Sequence, residues 1–485
     1  MENIRPGMRQ FAGICLVILA VLCSAGVKAA EPQPVKPEIP QAEDETTAEK
    51  KPPEKPLELI PEYGPGGTPY GDYGSTTLGP GPLTGRLAPY GKSAAEDTLL
   101  RGWQTHRLGA LSVSPYLEYN ALYRTNVFQT YSDKKSDFVT TINPGVRFEL
   151  PVAGTHKLSL GYLGNYFIYS RYSGISHYDQ NVNADASFNF NKLSLRVGST
   201  YRNATEEPTF VQTGPIVTQD RSRPYTLIMP YFNATYNMAD LWRIDANYQF
   251  NGLNYANAID KINNSQGNIF GVTIFYKFWP KTSALVQYIA DIRHHPYDQI
   301  KDNMVQTPMA GLTWDATAKL SGTVKVGYTI TSYYHTNVFG RNFNQGFNPN
   351  GLALSIQTQY KLAPFTQMSL VAQRSLQEDS NSRNDAYYNT GLLFTVSHLW
   401  HYFNVTTFLS FSYYNNNYIY DNFNPGTTEL KRRIDNVTFF GGGVSRPITR
   451  WLKLRLDYVY YNRGSNFNSY TTNEHKVLLG VQSSF

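Results

Sequence analysis

The sequence has very little cysteine: its 485 residues include 2, Cys15 and Cys23. Both lie within residues 1–29, where two arginines precede an apolar run and small residues follow it, which is the layout of a secretory signal peptide. We predict a signal peptide over residues 1–29, cleaved after Ala29. The mature chain would then hold no thiol, which excludes disulfides, cysteine-ligated metals and a cysteine nucleophile. A lipid anchor on Cys23 is the alternative, and Leu22 disfavours it because lipoprotein signals have a small residue at that position.

Charge is also scarce, at 16% Asp, Glu, Lys and Arg, with a formal net charge of +6. No cluster of Lys and Arg marks a nucleic-acid surface, so we expect no nucleic acid as a partner. After residue 29 no apolar run reaches the ~18 residues of a membrane-spanning helix. If the exported chain lies in a membrane, it has to be a closed β-barrel, because only closure pairs every backbone group away from water.

Two-residue alternation of apolar and polar side chains runs from about residue 111 to the end of the sequence. In one segment Leu193, Leu195 and Val197 alternate with Ser194 and Arg196. The same pattern recurs in the segments 242–251, 320–331 and 452–463. A soluble β-sandwich shows similar parity, but its outward face carries many more charges. The pattern is typical of membrane strands with one face in lipid and the other in water.

Short and long connections alternate between these segments, as the periplasmic turns and external loops of outer-membrane barrels do. Tryptophans stand beside the short connections, where an interfacial aromatic girdle belongs. We therefore predict an all-β fold over residues 106–485, a transmembrane antiparallel up-and-down β-barrel of about 18 strands in the bacterial outer membrane. Pro115, Pro144, Pro230 and Pro308 fall on the lipid-facing parity, and we expect strand ends or β-bulges there.

Residues 30–105 differ from the rest, because Pro is interleaved with Glu and Lys and a mixture of Gly, Tyr and Pro follows. Such a segment buries too little apolar area to offset its ordering entropy. We predict a disordered periplasmic segment that acts as a tether. A docking arm for a periplasmic partner and a partial plug of the lumen are the alternatives.

The first predicted hairpin carries a resemblance to a known family. The motifs are 114–119 (Ser-Pro-Tyr-Leu-Glu-Tyr), 123–128 (Tyr-Arg-Thr-Asn-Val-Phe) and 143–146 (Asn-Pro-Gly-Val). They resemble the outer-membrane β-barrel porins encoded in bacterial exopolysaccharide gene clusters, although Thr125 stands where that family usually has an acidic residue. The resemblance implies export of a secreted or capsular polysaccharide across the outer membrane, together with a periplasmic export machinery.

Inward-facing charges are the candidate functional residues. We predict these pore-lining residues: Arg124, Arg147, Arg196, Arg202, Arg243, Asp245, Arg293, Lys325, Lys453, Arg455, Asp457 and Arg463. One interpretation is a moderately basic path for acidic saccharides; the other is that neighbouring charges neutralise each other across the wall. The loop 205–223 is a candidate constriction that folds inward, and an exposed loop is the alternative.

We expect no catalytic residue, metal or cofactor, so the chain is predicted not to be an enzyme. The pairs His294–His295 and His398–His401 lack an evident third ligand and are typical of turn residues, and no nucleotide-binding or EF-hand motif occurs. The leading hypothesis is an export conduit with outer-membrane lipid, polysaccharide and the export machinery as partners. A general or solute-specific diffusion porin is the first alternative, and a closed barrel acting as an enzyme or adhesin is the second.

Overall fold

The structure is a computed structural model that describes residues 106–206, 211–213, 216–218, 222–314, 319–334, 337–338, 341–342, 349–378, 386–423 and 430–484. The predicted signal peptide (1–29) and the segment 30–105 lie outside the described residues. The first nine barrel strands are β1 Leu111–Arg124, β2 Asp137–Val152, β3 His156–Tyr169, β4 His177–Asn189, β5 Leu193–Glu206, β6 Arg223–Asn237, β7 Trp242–Tyr255, β8 Ser265–Trp279 and β9 Thr282–His294. The remaining strands are β10 Asn303–Trp314, β11 Leu320–Tyr333, β12 Gly351–Ala363, β13 Thr366–Glu378, β14 Ala386–Trp400, β15 Val405–Phe423, β16 Leu430–Pro447, β17 Leu452–Ser465 and β18 Thr472–Ser484.

These strands close into one antiparallel barrel. Each strand pairs with the next along the chain, and β18 returns to pair with β1 from Tyr116–Ser484 to Arg124–Lys476. The sheet has 19 strands because the short strand His106–Leu108 also pairs with the start of β1, which leaves 18 in the closed wall. The predicted all-β barrel of about 18 strands is confirmed.

The connections differ in length at the two ends of the barrel. At one end the links are short, such as 153–155, 190–192 and 280–281; at the other they are long, such as 125–136 and 256–264. Among the connections that the structure describes, five contain short 3-10 helices: Ser173–Ile175, Ala258–Asn263, Gln299–Lys301, His401–Phe403 and Asn468–Tyr470. In the described part of the chain, no helix has the length and apolar character needed to cross a membrane.

Side chains alternate between the two faces of the wall, as the pleat of a β-strand requires. In β8, Val272 and Ile274 are 46% and 42% exposed, whereas Thr273 and Phe275 are 1% and 4% exposed. The outward face is therefore apolar and open to the surrounding medium. Trp242, Trp279, Trp400 and Trp451 are exposed at the short-turn end, as predicted for an aromatic girdle; Trp314 ends β10 at the same side.

The strand prolines produce gaps in the hydrogen-bond ladder. Pro144, Pro230 and Pro308 each pair with one neighbouring strand, while the ladder to the other neighbour is interrupted there without a change of register. The reason is that proline has no N–H to donate. Pro115 pairs with Val146 on β2 and directly precedes the first pairing of β1 with β18, Tyr116–Ser484. The expectation of strand ends or β-bulges at Pro115, Pro144, Pro230 and Pro308 is wrong, because all four lie inside continuous strands, and three of them are accommodated by a one-sided gap in the ladder.

Candidate functional site: the barrel lumen

The predicted pore-lining residues all lie on the inward parity of their strands. They are Arg124 on β1, Arg147 on β2, Arg196 and Arg202 on β5, Arg243 and Asp245 on β7, Arg293 on β9, Lys325 on β11, and Lys453, Arg455, Asp457 and Arg463 on β17. Glu118, Glu149 and Asp291 share this face. The two-residue period of a strand explains why the sequence places them there.

Four of the ten predicted cations have an acid two residues away on the same strand. Arg147 lies 2.7 Å from Glu149 on β2 in the first of these pairs. Arg243 lies 3.3 Å from Asp245 and Arg293 lies 2.6 Å from Asp291. Arg455 pairs with Asp457 in the same way. Residues i and i+2 share one face of a strand, so such pairs form without help from a neighbouring strand.

The other predicted residues have partners on adjacent strands or loops. These contacts are Arg196 with Asp185 (2.6 Å), Arg124 with Glu474 (2.6 Å), Arg202 over the Tyr225 ring (5.8 Å) and Arg463 with the Tyr470 carbonyl (2.5 Å). Lys325 donates to Gln287 Oε1 two strands away, at 3.1 Å. Lys453 faces Gln482 across the β17–β18 ladder. This pattern favours mutual neutralisation over an uncompensated basic path.

Exposure of the inward charges differs between the two ends of the lumen. Near the long loops, the side chains of Arg124 and Arg223 are 1% and 2% exposed. Near the short turns, those of Arg147 and Arg196 are 39% and 45% exposed. The lumen is therefore filled by side chains at its long-loop end, and at its short-turn end it is accessible along the wall around β2 and β5. On β17, at a similar level, Arg455 is only 16% exposed.

The loop 125–136 folds into the lumen and forms part of this filling. Val127 and Phe128 are 0% and 8% exposed and belong to an apolar cluster with inward residues of the wall. Those wall residues are Leu122, Val139, Phe167, Tyr169, Tyr414, Val437, Phe439, Val459, Tyr461 and Leu478. Burial of this apolar surface holds the loop against the wall.

Asn126 fixes the turn of this loop. Its amide nitrogen donates to the Thr130 carbonyl (2.8 Å) and to Thr472 Oγ1 on β18 (3.0 Å), and its Oδ1 accepts from the Thr130 N–H (3.1 Å). Asn126 is 0% exposed. A buried loop backbone needs such partners, because unpaired polar groups away from water are costly.

The next long connection, 170–176, packs on the first. The Tyr172 ring meets the Phe128 ring at 5.0 Å edge to face, and Ile175 also contacts the cluster. The Asp137 carboxylate accepts hydrogen bonds from the backbone N–H groups of Phe138, Arg171 and Tyr172, at 2.8, 2.9 and 3.1 Å. Asp137 therefore ties the start of β2 to the loop that follows β3.

Two further clusters fill the long-loop end. The Arg433 guanidinium lies 4.1 Å from the Tyr418 ring centre and 3.8 Å from that of Tyr470, and it pairs with Asp435 at 2.7 Å. Arg223 lies 2.9 Å from Glu206 and 3.3 Å from Asp260, a residue of the 3-10 helix Ala258–Asn263. Both arginines are thus held by acids and aromatic rings under the loops.

The inward position of the loop 125–136 was not predicted from the sequence, which offered 205–223 as a candidate constriction. Much of 205–223 lies outside the described residues, so an inward position for that loop stays a prediction. The signal for the inward position of 125–136 was the apolar pair Val127–Phe128 within an otherwise polar connection. An exposed external loop has no reason to carry such a pair.

The histidines have local structural contacts. His294 Nδ1 lies 2.8 Å from the Asp302 carboxylate, and the His295 N–H donates to the same group at 2.6 Å. His398 lies 2.8 Å from Thr366 Oγ1, and His401 stacks on Phe365. Within the described residues, no group of three or more His, Cys, Asp or Glu side chains could hold a metal ion.

A closed antiparallel barrel with an apolar outer face, an aromatic girdle and a polar interior defines an outer-membrane β-barrel of the porin class. The family described as "Putative beta-barrel porin 2" matches residues 104–485, and the chain belongs to this family. The resemblance to outer-membrane β-barrel porins is confirmed. No curated protein matches the chain.

Several solved structures are similar to this chain. OpdK of Pseudomonas aeruginosa with vanillate has 12% sequence identity, with 77% of this chain and 98% of that chain covered and a TM-score of 0.40. OccAB3 of Acinetobacter baumannii has 10% identity, with 77% and 99% covered and a TM-score of 0.41. OccK2 (OpdF) of P. aeruginosa in complex with glucuronate has 11% identity, with 79% and 98% covered and a TM-score of 0.41.

Proposed function

We propose that this porin is a conduit for the export of exopolysaccharide across the outer membrane. The observation that carries the proposal is the unequal exposure of the lumen, which is accessible at the short-turn end and filled at the long-loop end. Short turns of outer-membrane barrels face the periplasm. The accessible end would therefore receive a saccharide chain that arrives from the periplasm. The inward loops would close the external exit of the lumen until the saccharide chain passes.

The interior chemistry suits a polyhydroxylated substrate. Amide and hydroxyl groups form networks on the inner wall, such as Thr200 with Asn183 (2.8 Å) and Thr323 with Thr313 (3.0 Å). Because most inward cations are paired with acids, the wall offers hydrogen-bond partners without a strong field of one sign. These features support passage of neutral or weakly charged saccharide more than of strongly anionic chains.

The partners in this proposal are outer-membrane lipid, the saccharide and a periplasmic export machinery. The apolar outward face, with residues such as Val286 at 63% exposure, is suited to acyl chains. The segment 30–105 is proposed to tether or dock the machinery on the periplasmic side.

Deletion of the gene tests the proposal directly. We expect the deletion strain to lose extracellular polysaccharide while its periplasmic saccharide rises, and a plasmid copy to restore secretion. The control is a strain in which an unrelated porin is deleted. Unchanged extracellular polysaccharide in the deletion strain would reject export.

A diffusion porin is the second candidate, favoured by membership of a porin family. Single-channel recording in planar bilayers and liposome swelling with graded sugars would measure its permeability. Slow growth of the deletion strain on one solute, with normal polysaccharide secretion, would favour this candidate. A barrel that acts as an enzyme or adhesin would show no conductance steps.

A further inference from the structure

One tyrosine ring lies flat against the accessible part of the inner wall. Tyr231 of β6 is paired with Gly198 of β5, and its hydroxyl donates to the Asp185 carboxylate on β4 at 2.6 Å. A Cβ placed on Gly198 would overlap the Tyr231 ring. The missing side chain at Gly198 therefore lets the ring cover β5, with one face on the backbone and the other toward the lumen.

Polar side chains that are partly exposed to the lumen surround the Tyr231 ring. Arg196 donates to the same Asp185 carboxylate at 2.6 Å, and its guanidinium carbon lies 5.8 Å from the Tyr231 ring centre. Asn183, two residues before Asp185 on the inward face of β4, is exposed and accepts a hydrogen bond from the Thr200 hydroxyl. The ring is thus framed by a carboxylate, a guanidinium and an amide.

Tyr231, Asp185, Arg196 and Asn183 form a patch whose exposure and charge distinguish it from the filled end of the lumen. The side chains of Arg196 and Asp185 are 45% and 21% exposed, and Arg196 lies near the start of β5 at the short-turn end. Because the two side chains form an ion pair, the patch has no net charge of its own. It can offer both donors and acceptors to an uncharged ligand.

We propose that Tyr231, Asp185, Arg196 and Asn183 form a binding subsite for a neutral pyranose unit. The apolar C–H face of the sugar would stack on the free face of Tyr231, since aromatic rings supply a rigid apolar surface. Its hydroxyls would bond to the carboxylate, the guanidinium and the amide, the few placed polar groups that fix a ligand's orientation. This inference rests on the proposed saccharide function and names the part of the lumen that contacts the sugar.

Equilibrium binding to the detergent-solubilised full-length protein tests the subsite without need of an open channel. The probe is a neutral β-linked glucose hexamer, titrated by calorimetry and by saturation-transfer NMR. We expect Tyr231→Ala to raise the Kd about tenfold, as loss of an aromatic contact does. Tyr231→Phe keeps the ring and is expected to stay within about threefold of the unmodified protein, since only one hydrogen bond is lost.

Two further variants extend the test. One displaces the Tyr231 ring without removing it, and the other shows whether removing a tyrosine elsewhere on the barrel also changes the Kd. Gly198→Ala places a Cβ where the end of the Tyr231 ring lies, so it is expected to weaken binding although Tyr231 is retained. The same Cβ also meets the Ala184 carbonyl oxygen, so the unfolding midpoint of this variant is measured beside its Kd. Tyr288→Ala is the matched control, because Tyr288 lies on the outward face and bonds to Gln306; its Kd is expected not to change. Heat-modifiable gel mobility verifies that each variant is an assembled barrel.

Three outcomes would overturn the subsite: no binding of the hexamer to the unmodified protein, an unchanged Kd in Tyr231→Ala, or binding of a galacturonic acid hexamer in preference to the neutral one. These outcomes are independent of the export test. A deletion strain with normal secretion would reject export and leave hexamer binding intact. A strain that loses secretion, with a protein that does not bind the hexamer, would reject only the subsite.

Discussion

Arg124 and Glu474 form a buried two-point ion pair across the seam where the first and last strands close the barrel. Arg124 Nε lies 2.6 Å from Oε1 and Nη2 lies 3.1 Å from Oε2, although the residues are 350 positions apart in the chain. Lys476, which pairs with Arg124 across the β1–β18 ladder, lies 3.4 Å from the same carboxylate. The seam is thus held by a charge cluster as well as by backbone hydrogen bonds.

Glu474→Ala should strongly destabilise the barrel. The change leaves two buried cations without their acid, and breaking a buried pair costs about 3–5 kcal/mol. Denaturant unfolding in detergent micelles, followed by circular dichroism, measures the loss. The control is Asp133→Asn in the exposed pair with Lys135, where little change is expected because water screens exposed ion pairs. Asparagine also tolerates the left-handed φ of 52° at this position. Equal unfolding midpoints for the two variants would contradict a structural role of the seam pair.

Phe128→Ala should open the long-loop end of the lumen. Truncating a buried Phe costs about 3–5 kcal/mol in a packed core, so the loop 125–136 is expected to leave the apolar cluster. Single-channel conductance and uptake of a bulky antibiotic by intact cells should both rise. Tyr131→Ala provides the comparison, because Tyr131 is in the same loop and 55% exposed. A conductance that does not differ between these variants would show that the loop does not restrict passage.

Asp137→Ala should release the loop 170–176 from β2. Three backbone N–H groups lose their acceptor, and each unsatisfied group costs about 1–3 kcal/mol if it stays buried. The loop is therefore expected to move outward, with faster hydrogen exchange at Arg171 and Tyr172 and new trypsin cleavage after Arg171. Asp133→Asn removes an exposed loop carboxylate at a left-handed φ of 52° that asparagine tolerates, and it should leave exchange unchanged. Retained protection in Asp137→Ala would mean that ring packing alone holds the loop.

Val272→Lys should impair insertion of the barrel into lipid. Val272 is outward and 46% exposed at the middle of β8, where a lysine in acyl chains costs about 2–4 kcal/mol. Gln357→Lys on the inward face of β12 is the matched change and should cost much less, because that side chain faces the lumen. Folding into vesicles, followed by heat-modifiable mobility, compares the two. The opposite order of effects would reverse the assignment of the two faces.

The strand pattern and its two faces were predictable because both follow from local physics. A strand exposes alternate residues to opposite sides, so the segment 193–202 already separates Leu195 and Val197 from Arg196. Likewise Arg243 and Asp245 are two positions apart, so their shared face and their pairing could be inferred from the sequence. The family resemblance in the first hairpin led to the same class of protein.

Contacts between distant strands could not be predicted in this way. Nothing local to Arg124 indicates Glu474 as its partner, and nothing local to Tyr231 shows that Gly198 provides space for its ring. The four strand prolines were misinterpreted for a related reason. A proline removes one donor, but only the pairing on each side decides whether the strand ends, bulges or continues with a gap.

The sequence by itself determined that this chain forms a closed barrel with an apolar outer face, because a two-residue period and a membrane environment allow no other arrangement of the backbone. Only the tertiary structure decided which end of the lumen is filled. That outcome depends on where the loops 125–136 and 170–176 bury their apolar side chains, and the wall that receives them comes from strands far apart in the chain.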